Sequence, residues 1–64
     1  MTQKELLYVE DAIGHEQNII SIITEMLNLL EDKNLRSFMN KELKRHEGME
    51  QKLIKLLEDK ANEW

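Results

Sequence analysis

Apolar residues return along this chain at a helical period. Leu6, Val9, Ile13, Ile20, Ile23, Leu27 and Leu30 follow one another at spacings of three, four or seven, the pattern of one apolar stripe on an α-helix. The pattern lapses at Glu31, Asp32, Lys33 and Asn34, then resumes as Leu35, Met39, Leu43, Met49, Leu53, Leu56 and Leu57. No stretch alternates apolar and polar residues as a strand would. Thr2 followed by Glu5 has the form of a capping box, in which the threonine caps the first turn and the glutamate reaches back. Asn34 is placed to cap a second helix, with Asp32 as the other candidate. The spacing predicts one all-α domain over 1–64: a helix over about 3–31, a turn at 32–34 and a second helix over about 35–61. A link this short folds the two helices back antiparallel, as a helical hairpin.

Composition narrows the possibilities. The 64 residues contain no cysteine and no proline, and glycine occurs only at Gly14 and Gly48. Without cysteine there is no disulfide scaffold, thiolate metal site or thiol catalysis. Thirteen acids against nine bases give a net charge of −4, the wrong sign for a nucleic-acid binder that works by releasing counterions. No apolar run is long enough for a membrane span, and the Met-Thr-Gln-Lys-Glu start does not read as a secretory signal. The expectation is an intracellular, cytoplasmic protein that binds neither nucleic acid nor membrane. No nucleophile–base pair or phosphate-cradling glycine loop is present, and Ser21 and Ser37 have no His-Asp context.

A hairpin of this size rarely builds enough core to stand alone. The first helix makes the point. Its apolar residues, from Tyr8 and Val9 to Leu29 and Leu30, spread over an arc of about 200° on a helical wheel, wider than one neighbouring helix covers. The simplest way to cover it is a second copy. Two hairpins then close a four-helix bundle as a homodimer, the commonest closed assembly. Tyr8, Phe38 and Trp64 are expected as core or end packing. The two glycines fall toward polar faces, either as tolerated surface positions or as points of local bending.

Each stripe carries an ionisable group on its midline. On the wheel Glu16 lies inside the first apolar arc, and His46 at the centre of the second, flanked by Glu42 and Glu50. A turn near Lys33 puts Glu16 level with Glu50 and about one turn, roughly 6 Å, from His46. A buried carboxylate is costly unless paired or metal-bound. Two readings follow. In one, Glu16 pairs with His46, with Glu42 also within i,i+4 reach, as a structural polar layer that fixes register. In the other, Glu16, His46, Glu50 and Glu42 hold iron or manganese, a dinuclear carboxylate site completed across a dimer. His15 lies on the outer side of the first arc, as an interface or partly exposed residue. A ligand role and a pH-sensitive contact are lesser readings of it.

The acidic turn, the run Asn34-Leu35-Arg36-Ser37-Phe38, the stretch from His46 to Gln51 and the C-terminal Trp64 resemble half of a ferritin-like bundle. The likeness covers Leu6 to Trp64 and is greatest to small spore coat F-type and rubrerythrin-type helical-hairpin proteins. That resemblance implies either a spore-associated structural protein or, with Glu16 in the position of the first-helix glutamate, a metal-binding protein with ferroxidase-like chemistry. Three functions are thus expected of the chain: a structural or assembly protein acting through self-association, an iron- or manganese-binding bundle, and an adaptor that offers its apolar arc to another protein.

Overall fold

The chain folds as two long α-helices joined by a three-residue link. In this computed structural model residues 1–61 are described; Trp64, expected at the bundle end, lies outside them. Helix α1 spans Gln3–Leu29 and helix α2 spans Lys33–Ala61. They pack against each other along their length as an elongated rod with principal extents of 48 × 14 × 12 Å. All regular structure among the described residues is helical.

Local chemistry sets the helix ends. Thr2 caps α1: its hydroxyl accepts from the Glu5 N–H at 3.1 Å, and Glu5 accepts from the Thr2 N–H at 2.8 Å. That closed capping box satisfies two backbone donors with no helical partner. At the other end Leu30 leaves the helix in an extended conformation while its N–H still reaches the Met26 carbonyl. The second helix begins at Lys33 rather than near 35, because Asp32 and not Asn34 is the cap: its Oδ1 accepts from the Leu35 N–H at 2.8 Å. The turn is therefore two residues earlier than the polar run suggests, and α1 stops at Leu29.

Arg36 locks the turn. Its guanidinium donates to the Leu27 carbonyl and to the Leu30 carbonyl, the latter at 2.9 Å. The last turn of α1 carries no basic residue of its own, so a cation from α2 serves the carbonyls left over at its C-terminal end.

The seam between the helices follows the two stripes. Ile23 is the only buried apolar residue among those described. Leu6, Val9, Ile13, Ile20 and Leu27 on α1, Leu30 just after it, and Met39, Leu43, Leu53 and Leu57 on α2, are half-buried. Tyr8 and Phe38, expected as packed aromatics, are instead 62% and 57% exposed. One neighbouring helix shields about a third of a helix's circumference, and both rings lie beyond that sector. Gly14 and Gly48 sit in unbroken helix with ordinary backbone angles, and a Cβ at either would meet nothing within 4 Å.

Candidate functional site

Glu16 and His46 meet at mid-height of the rod. Each sits at the centre of its stripe, so the packing that joins the stripes drives the two polar groups together. His46 Nδ1 lies 2.5 Å from Glu16 Oε2, closer than the usual N–H···O range of about 2.7–3.2 Å. The two side chains are only 15% and 12% exposed. A carboxylate placed here alone would bear an uncompensated desolvation cost; the imidazole supplies its partner.

The pair has a second rank. Glu42, one turn before His46, brings its Oε2 to 3.7 Å from His46 Nε2. The same oxygen accepts from Arg45 Nη2 at 2.7 Å and from Arg45 Nε at 3.1 Å. Arg45 Nη2 is also 3.4 Å from His46 Nε2. The hydrogen bonds from Arg45 to Glu42, and then the charge of Glu42, hold the guanidinium pKa above its ordinary value. The order across the rod is thus Glu16, His46, Glu42, Arg45, running from the seam to an exposed edge. Every buried side-chain nitrogen and oxygen among the described residues has a hydrogen-bond partner.

Of the four residues singled out as a possible layer, Glu16, His46 and Glu42 form this chain of contacts, while Glu50 is half-buried one turn further on. Level matching by the turn placed Glu50 opposite Glu16; the earlier turn shifts the register so that His46 takes that place. Among the described residues, no three His, Asp or Glu side chains converge as a group that could hold a metal ion. A carboxylate metal centre on these residues would therefore draw donors from more than one chain. His15 stands apart on the surface, 72% exposed, with Nε2 3.3 Å from Asp11 Oδ2.

Arg45 and Arg36 are the two polar residues that the apolar stripes do not reveal. Their signal is positional: a cation three residues from Glu42, and a cation at the start of α2 facing the carbonyl end of α1.

Beside this polar chain the rod is open. Ile19, Ile22, Ile23 and Met26 on α1 and Phe38 and Met39 on α2 line a shallow apolar groove, with Glu42 and Arg45 at its rim. A second depression near the free ends joins Tyr8 and Val9 to Leu56. No helix among the described residues is long and apolar enough to cross a membrane. Comparison with known proteins finds no matching family model, no similar curated protein and no similar solved structure.

Proposed function

We propose that this chain is a small structural protein that acts by self-association, two hairpins closing a four-helix bundle around the Glu16–His46 layer. One observation carries the reading. Among the described residues the hairpin buries a single apolar side chain, Ile23, while Tyr8, Ile22, Phe38, Met49 and Leu56 stay more than two-fifths exposed. A contiguous apolar surface of that kind marks a surface meant to be covered. The buried polar pair supports the same reading. It is fully partnered within one chain, as a register-fixing layer should be, and it asks for no further ligand. A coat-type or ferritin-like assignment rests on the sequence resemblance alone.

Sedimentation equilibrium tests the proposal. The expected result is a species of about twice the chain mass of 7.7 kDa, unchanged by chelators. A monomer at all accessible concentrations would remove the self-association reading and favour an adaptor that docks on another protein. Iron or manganese retained after anaerobic loading and desalting, and lost in Glu16→Gln, would favour the metal-binding bundle with donors from both chains.

A further inference from the structure

The two helices carry opposite charge. Within α1 there are five acids and one lysine; within α2 there are eight bases and five acids. The net acidity of the chain hides this division, and its placement has a consequence for how a second copy sits.

The exposed apolar residues lie mainly on one broad face of the rod. On a wheel of about 100° per residue, Tyr8 and Ile22 fall within about 40° of each other on α1, and Phe38, Met49 and Leu56 within about 20° on α2. The two apolar depressions open on this face, one toward the turn and one toward the free ends. By the same wheel, Asp11 and Glu25, together with Lys4, border the face on the α1 side, while Lys41, Lys52 and Lys55, together with Asp59, border it on the α2 side. All seven are exposed. The face is thus an apolar strip with one margin acidic on balance and the other basic on balance.

Two hairpins can meet on this face about a two-fold axis in two ways. If the axis runs along the helices, the two turns lie at the same end and α1 stacks on the partner's α2. If the axis runs across the helices, the turns lie at opposite ends and α1 stacks on its own copy. The first places each acidic margin beside a basic one. The second sets lysines beside lysines and acids beside acids, which costs specificity and stability in a helical pair.

Register agrees with the first arrangement. Glu16 contacts His46, and Tyr8 lies beside Leu56, so residue numbers at one level sum to about 62–64. An axis along the rod keeps that level between copies. Asp11 is then level with the partner's Lys52, and Glu25 falls within about one turn of the partner's Lys41.

We infer that the occupant of this face is a second copy of the chain, seated with the two-fold axis along the helices and both turns at the same end. This rests on the self-associating reading above and adds the orientation of the copies. Every neighbouring pair of helices in the resulting bundle is antiparallel, and both inter-chain edges pair an acidic helix with a basic one.

The test is a distance between copies. The chain has no cysteine, so Glu31→Cys, in the exposed link, takes a single nitroxide label. Pulsed electron–electron resonance on the dimer should give one distance below about 25 Å, from helix spacings of roughly 10 Å and two label arms. A label at Gln3→Cys, at the other end and also exposed, should give a similarly short distance. Distances near the 48 Å length of the rod from both labels would overturn the orientation and leave the dimer standing. Absence of any dipolar coupling, with a monomer mass in the same sample, would overturn the orientation and the self-association together.

Discussion

At the scale of single residues, Glu16 and His46 illustrate how a polar pair can sit in an apolar seam. Each removes a hydrogen-bonding group from water, and the 2.5 Å contact between them returns most of that loss. Removing one member strands the other. Glu16→Ala or His46→Ala should lower stability by about 1–3 kcal/mol, the usual cost of orphaning a buried polar group. Replacing both together with leucine should cost less than either single change, because a buried polar pair is often no more stable than an apolar one of similar volume. Denaturant melts of the four proteins at one concentration check this, and a double variant weaker than both singles would show that the pair contributes more than mutual compensation. Glu5 gives a residue-scale pH effect of known sign. The Thr2 N–H, first, and the Thr2 side chain hold the Glu5 carboxyl below its ordinary pKa. A group with a depressed folded pKa adds stability above its unfolded pKa and loses it as pH falls through the folded value. Helix α1 should therefore fray at its first turn when pH drops below the ordinary glutamate range, and Glu5→Gln should remove that part of the acid response. Amide exchange at residues 3–6 reports it.

At the scale of the elements, the periodic stripes predict two helices and the antiparallel hairpin, and the structure has both. The stripes also place Glu16 and His46 on facing midlines, which is why their pairing is legible in the sequence. What the stripes do not specify is the turn. Lys33 and Asn34 look like link residues because they are polar, yet they form the first turn of α2, where helix residues have no stripe to keep. Asp32 decides the boundary through one side-chain hydrogen bond, whereas the sequence pattern favours Asn34 as the cap and keeps Asp32 as the other candidate. Arg36 was invisible for a related reason: its targets are backbone carbonyls, which every residue carries. Asp32→Ala should accordingly cost about 1 kcal/mol, as loss of an N-cap does, whereas Asn34→Ala should change the melting temperature very little. The glycines test helix propensity without interfering contacts. Each sits in mid-helix with open space where a Cβ would go, so Gly14→Ala and Gly48→Ala should each stabilise by about 0.5–1 kcal/mol. A loss of stability at Gly48 alone would mean that another chain approaches that surface closely.

At the scale of the whole molecule, the question is what a rod with one buried apolar residue among those described does with the rest of its apolar surface. In a lone hairpin Phe38 and Ile22 are more than half exposed, and surface substitutions at such positions usually change stability by no more than about 0.5 kcal/mol. In a closed bundle the same positions are interior, where an unpaired charge is strongly destabilising. Phe38→Glu therefore separates the two cases by its size. If a second copy covers the face, this variant should sediment as a monomer and lose most of its cooperative melting, and Ile22→Glu should behave alike. Gln17→Glu, exposed and on another side of α1, should leave mass and melting unchanged. The unmodified chain should also melt at higher temperature as its concentration rises, because association stabilises by mass action, and Phe38→Glu should abolish that dependence. If Phe38→Glu melts like the parent at every concentration, the face is solvent-exposed in solution, and the stability of the hairpin must come from the seam and the Glu16–His46 pair alone.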